Sequence, residues 1–343
     1  MKIIKKDDLD SFVDYLIGSD PREVVGVKER GSKYAFDKLK SSKELRLDYD
    51  VTILPPKKYL LPQRETLLKF KSNDKIKTEP VNEVNGRIIV GVHPYDLIAI
   101  EQMDRIFSEE PEDPNYLKKR EATVLIGVNM KNTSERCFAG SMKTAFTQDG
   151  YDLMLTDLGG KYAVEIGTEK GKELLKKSGV ALADAGEEDK KMIEEKKRSL
   201  TFESKINFEP SDLPELMKSN YDNDKFWEEN ADNCYSCGTC NLVCPTCYCF
   251  DVKDLMEVTL KEGSRIRQWD GCLLEHFAEV AGGENFREER AQRYRHRYMR
   301  KGLYLHNRFE DIACVGCGRC SSQCVPDIAD PAEIFNKLKE GKI

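Results

Sequence analysis

One cysteine pattern occurs twice in this chain, and it constrains the fold more than any other feature. Cys234, Cys237, Cys240 and Cys244 follow the spacing C-x2-C-x2-C-x3-C, with Pro245 next. Cys314, Cys317, Cys320 and Cys324 repeat it, followed by Val325 and Pro326. Eleven of the twelve cysteines lie between residues 234 and 324, and only Cys137 precedes them. Twelve would be an ordinary disulfide count in a small secreted domain. In a chain of 343 residues whose first residues lack the apolar core of a signal peptide, they indicate metal or redox chemistry.

The spacing suits a cubane [4Fe–4S] cluster, which needs thiolates at four tetrahedrally disposed corners. Three cysteines at x2 spacing let a tight loop wrap three corners. Gly238, Gly316 and Gly318 let the backbone pass close to the cluster. The fourth cysteine is expected to begin a helix and point away. In two-cluster ferredoxins with this spacing it ligates the other cluster. The expected partition is therefore Cys234, Cys237, Cys240 and Cys324 for one cluster, and Cys314, Cys317, Cys320 and Cys244 for the other. Such crossing pins the two clusters together and makes folding and cluster insertion one event. A pair of zinc sites is the competing interpretation, but zinc ribbons use paired C-x2-C knuckles instead of a triplet followed by x3.

Cys137, Cys247, Cys249 and Cys272 are left over. Either they hold a third iron–sulfur cluster, or they are inert thiols that pack as small hydrophobes. Cys247 and Cys249 can reach one metal only if the backbone between them is not helical. Arg267 and Asp270 lie near Cys272 in the sequence, close enough to tune a thiolate.

Composition removes several function classes. A net charge of -6 argues against a general nucleic-acid binder. With 34% charged residues and a mean hydropathy of -0.60, the chain reads as a charge-rich globular protein. No run of about eighteen apolar residues exists, so no membrane span is expected. Asp7, Asp8 and Asp10 stand where a signal peptide needs apolar residues, which predicts a cytoplasmic protein.

The expected fold class is α+β. An N-terminal α/β domain covers residues 1–186. A charged helical connection covers 187–205, with Glu and Lys at i and i+4 spacing. A mostly helical, ferredoxin-like domain with two clusters covers 206–343. In the first domain RIIVGV (87–92) and ATVLIGV (122–128) read as buried strands. DLIAIEQMDRIF (96–107) between them has helical spacing, which makes a right-handed βαβ unit. Residues 151–171 read as two strands joined by a Gly-Gly turn. PPKKYLLPQRETLLKF (55–70) reads as a loop leading into a strand. In the second domain LVCPTCYCFDVKDLMEV, LLEHFAEVAGG, FREERAQRYRHRYMRKGLYLH and PAEIFNKLKEGK all have helical patterning or composition. The arginines between Arg287 and Arg308 either offset negative clusters, dock a partner, or form a solvated face.

CxxCGxCxxxCPTCxC, RxWDxC, AGGxNFR and CVGCGRC occur here in that order. Together with PPKKYLLPQRETLLKF and IIVGVHPYDLIAIEQMD, they resemble one family across most of the chain. That family contains the iron–sulfur β subunit of soluble NiFe hydrogenases (sulfhydrogenases) and the A subunit of anaerobic sulfite reductase. Related subunits serve flavin oxidoreductase complexes that feed heterodisulfide reductases. The resemblance implies an electron-transfer subunit that is not catalytic alone. It implies an FAD- and NAD(P)-binding flavoprotein as one partner and a catalytic hydrogenase or reductase subunit as the other. A catalytic iron–sulfur flavoprotein, or a structural zinc-site module, are the alternatives. This chain departs from the family at positions 95, 130 and 139. Family members often carry cysteine there, whereas this chain has Tyr95, Met130 and Ala139. Of the four cysteines that could ligate a first-domain cluster in those members, only Cys137 is present.

Overall fold

The structure, a computed structural model, describes residues 1–72, 76–199 and 205–341. Among the described residues, ten strands precede the cysteine runs. They are β1 (Lys2–Lys5), β2 (Glu23–Arg30), β3 (Lys33–Lys38), β4 (Arg64–Ser72), β5 (Ile76–Pro80), β6 (Arg87–Val92), β7 (Thr123–Val128), β8 (Leu153–Asp157), β9 (Lys161–Ile166) and β10 (Ala183–Asp184). Eight of them form one sheet in the order β10-β1-β9-β8-β7-β6-β2-β3. Its centre, β2-β6-β7-β8, is parallel, and antiparallel strands close both sides.

Helix α1 (Lys6–Ser19) buries Leu9, Phe12, Val13 and Leu16 in the core of this sheet. α2 (Pro94–Phe107) and α3 (Pro114–Glu121) connect β6 to β7, the strand–helix–strand unit that the periodicity predicts, with α3 as an unforeseen addition. Pro94 at the first helical position suits the start of α2, where its missing N–H costs nothing. β8 and β9 form the expected hairpin around Gly159 and Gly160. α4 (Glu169–Ser178) ends on Gly179 at φ 65°. The charged run forms α5 (Glu187–Ser199), with Ile193 buried against Ile3 and Leu158.

The C-terminal part contains α6 (Leu213–Ser219), α7 (Asp224–Ala231), α8 (Thr239–Leu242), β11 (Phe250–Met256) and β12 (Glu262–Trp269). After these come α9 (Arg290–Met299), a π-helical turn over Arg300–Tyr304, α10 (His306–Phe309), α11 (Arg319–Ser322) and α12 (Pro331–Glu340). A second apolar core gathers Leu213, Met217, Trp227, Tyr298 and Phe335 around the cysteines.

Two segments expected to be helical are not. FDVKDLM is strand β11, and the run after Cys272 forms only a short 3-10 turn at Glu275–Ala278. Tertiary pairing overrides the local pattern. β11 pairs with β12, and β12 pairs with β4, where Lys71 and Glu262 interact across 191 residues of chain. The resulting sheet, β11-β12-β4-β5, joins strands from both halves of the chain.

Candidate metal centres

Both cysteine runs adopt the same local structure. After the second cysteine, a glycine in the left-handed region turns the chain into a single helical turn. Gly238 (φ 71°) opens α8, and Gly318 (φ 77°) opens α11. The third cysteine, Cys240 or Cys320, lies in that turn. The fourth, Cys244 or Cys324, follows the turn, which corrects the expectation that it begins a helix.

The glycines are also required by close packing. A Cβ on Gly318 would sit 2.5 Å from the Arg136 carbonyl oxygen, and one on Gly316 would sit 2.7 Å from that of Phe138. Phe138 donates its backbone N–H to Gly316 at 2.8 Å, so the first domain clasps this loop by its main chain. Gly318→Ala should therefore cost at least the ~1–2 kcal/mol of a left-handed non-glycine residue, with the clash in addition. Loss of the cluster absorbance at a lower temperature than in the parent would report it. Gly160→Ala, whose Cβ meets open space, serves as the control.

Cys314, Cys317, Cys320 and Cys244 line one small cavity, together with Arg297 and Lys301. Cys234 has Cys324 and Cys237 among its neighbours. The fourth cysteine of each run thus stands beside members of the other run. The two groups differ in depth. Cys237 is exposed and Cys324 half-buried, whereas Cys244, Cys314, Cys317 and Cys320 are all buried. Burial pushes the Cys240 and Cys314 thiols up to about 12. Hydrogen bonds to Thr239 hold Cys237 below the usual thiol value. Ligation requires thiolates, so loading the deep group releases protons.

The arginine-rich helix explains itself at this point. Arg293, Arg297 and Lys301 recur every four residues and are all buried, at 6%, 1% and 5% exposure. They form one inward row. Arg293 hydrogen-bonds Ser236 in the first cysteine loop at 3.3 Å. Arg297 neighbours Cys240, Cys320 and Cys244. Lys301 donates to Thr246 at 2.8 Å beside Cys244. Burial opposes the charge on Arg297, but the surrounding sulfurs outweigh it and hold the guanidinium well above its usual value. Its Nε and Nη1 have no hydrogen-bond partner in the protein. A buried, incompletely satisfied cation placed between two sets of thiols fits anionic clusters on either side. Arginines of the segment outside this row pair outward instead, half-buried Arg295 with Asp224 at 2.8 Å and exposed Arg308 with Glu109 at 2.8 Å. When bound, [4Fe–4S] clusters supply one-electron redox chemistry. The eight cysteines would hold them, and the cation row would compensate their charge.

Three features of the site were not legible as such in the sequence. Arg319, inside CVGCGRC, makes a fully buried two-pronged ion pair with Asp96 at 2.6 Å and bonds Thr52 at 2.9 Å. Lys57 donates to the Cys244 and Cys247 carbonyls, both at 2.6 Å. Arg267 is tied to Glu65 at 2.5 Å and to Asp113, so its guanidinium braces the two halves and is not spent on Cys272. The available signal was charge inside otherwise buried motifs, PPKKYLL, HPYDL and CGRC.

Of the four leftover thiols, the structure brings together Cys247, Cys249 and Cys272. Cys137 stands apart from them, packed with Tyr95, Met130, Ala139 and Cys317 in a separate apolar cluster. The four positions at which resembling proteins carry cysteine thus converge here, and three of them hold apolar or aromatic side chains. His93 is a core residue stacked 3.9 Å from Tyr49.

A family model described as a 4Fe-4S dicluster domain matches residues 233–328. Fold and site together define an iron–sulfur electron-transfer subunit of an oxidoreductase. The chain is 35% identical over 329 residues to sulfhydrogenase 2 subunit beta of Pyrococcus furiosus, with 93% of each protein covered. It belongs to the sulfhydrogenase beta-subunit family. No solved structure matches it. Among the described residues, no helix is long and apolar enough to cross a membrane.

Proposed function

We propose that this subunit relays single electrons through two [4Fe–4S] clusters, in the cytoplasm of an anaerobic cell. One partner is a flavoprotein that exchanges electrons with a nicotinamide. The other is a catalytic hydrogenase, sulfite reductase or heterodisulfide reductase subunit. Residues 206–343 carry the clusters, and the sheet of residues 1–186 clamps them. Cys234, Cys237, Cys240 and Cys324 hold one, and Cys314, Cys317, Cys320 and Cys244 hold the other.

One observation carries the reading most: two linked thiol groups, one reaching the surface at Cys237 and one sealed inside. A surface cluster exchanges electrons with a partner, and a buried one is shielded from solvent and oxidants. The test is anaerobic purification of the single chain. The expected product is brown, accepts electrons one at a time, retains no flavin and turns over neither hydrogen nor sulfite alone. Stoichiometric flavin on the single chain, with nicotinamide oxidation, would make it an enzyme in its own right. A colourless zinc protein would end the proposal.

A further inference from the structure

We propose that Cys247, Cys249 and Cys272 hold a third iron–sulfur centre, beside the buried cluster and without Cys137. This deepens the relay reading and rests on it.

The backbone from Cys247 to Cys249 is not helical. In an extended segment, residues two apart project to the same side, so these two thiols can address one site. Tyr248, between them, packs edge-on against Phe107. Cys249 is also fixed across the base of the β11–β12 hairpin, where its carbonyl accepts the Asp270 N–H at 3.1 Å. Two residues further on, Cys272 is 3% exposed. The side chain of Asn241, itself 1% exposed, points its amide at two of the three sulfurs, 3.4 Å from Cys272 and 3.8 Å from Cys247. Its oxygen accepts the Leu273 N–H at 3.3 Å. A buried amide spent on two thiols is the kind of outer-shell donor that orients metal ligands.

The surrounding charge is one-sided. Lys57 and Lys301 are buried, and Arg300 lies over the Tyr248 ring at 4.6 Å. Cys244, Cys247 and Cys249 are neighbours of Lys57, and Cys249 and Cys247 are among those of Arg300. No carboxylate pairs with these three cations among the described residues. Inert thiols would leave such cations uncompensated, whereas metal-bound thiolates would balance them. The centre would be a multi-iron cluster held by these three thiolates, with a non-cysteine group at the fourth position. Lys57 donates to the carbonyls of both Cys244 and Cys247 at 2.6 Å, so the new centre would abut the buried cluster.

The test is iron, acid-labile sulfide and zinc per chain in anaerobically purified holoprotein. The proposal expects about twelve irons where two cubanes alone give about eight. Cys249→Ser with Cys272→Ser should remove about four irons and leave those of the other two clusters. Cys137→Ser should leave the count unchanged. A parent protein with about eight irons, or with one zinc in addition, overturns the third centre and leaves the two-cluster relay standing. A parent protein without iron overturns both. Should the double variant fail to fold, the parent count still decides.

Discussion

Asp96→Ala is expected to destabilise the holoprotein by about 3–5 kcal/mol, the usual cost of removing one partner from a buried ion pair. Asp96 and Arg319 are both fully buried and meet through two bonds of 2.6 Å. The pair joins α2 to the second cysteine loop. Removing the carboxylate leaves the Arg319 guanidinium buried beside Cys317, held only by Thr52 and the ring of Tyr95. Replacing both partners by apolar residues, Asp96→Leu with Arg319→Met, should cost less than the single change, because no orphan charge remains. Denaturant unfolding of the anaerobic protein measures both. A single-variant loss under about 1 kcal/mol, typical of an exposed pair, would contradict the assignment.

Arg297→Met should lower the reduction potential of the buried cluster. A unit charge about 4 Å away is worth about 4 kcal/mol at an effective dielectric of ~20. If a third of that survives, the one-electron equilibrium shifts tenfold, or about 59 mV. The sign follows from charge. Reduction adds an electron to an already anionic centre, and a nearby cation favours the reduced form. Arg290→Met serves as the control for the buried cluster, because Arg290 is exposed, bonds the Asp232 carbonyl and neighbours Cys234 of the outer group instead. Potentiometric titration followed by electron paramagnetic resonance reads both variants. An unchanged or raised potential in Arg297→Met would show that the row of Arg293, Arg297 and Lys301 does not compensate cluster charge.

The elements with strong periodicity were legible. RIIVGV, the α2 pattern and the 151–171 hairpin all lie where the sequence places them, because burial of an apolar face decides them locally. The β11–β12 hairpin was not. Its stretch mimics a helix, and only pairing with β4, far upstream, makes it sheet. At the site, the repeated cysteine spacing was legible, and the two runs fold into the same glycine-opened turn. The inward row of cations was half-legible: Arg293, Arg297 and Lys301 recur at helical spacing, but surface arginines surround them and nothing local marks which face turns in. The Asp96–Arg319 pair was hidden, because 223 residues separate its members. Cys137 was misgrouped for a similar reason. Its partners are set by the clasp between Phe138 and Gly316, and thiol counting does not see that clasp.

If each cysteine run supplies a ligand to both clusters, paired substitutions separate the two groups. Losing two ligands of one cubane should remove about four irons, and losing one ligand from each should compromise both clusters. With crossing, Cys244→Ala with Cys314→Ala strikes one cluster, and Cys244→Ala with Cys234→Ala strikes two. Iron counting on the two anaerobic double variants should find about four irons missing from the first and up to about eight from the second. The reverse pattern, with the greater loss in the first variant, would mean that each run holds its own cluster and would contradict the account.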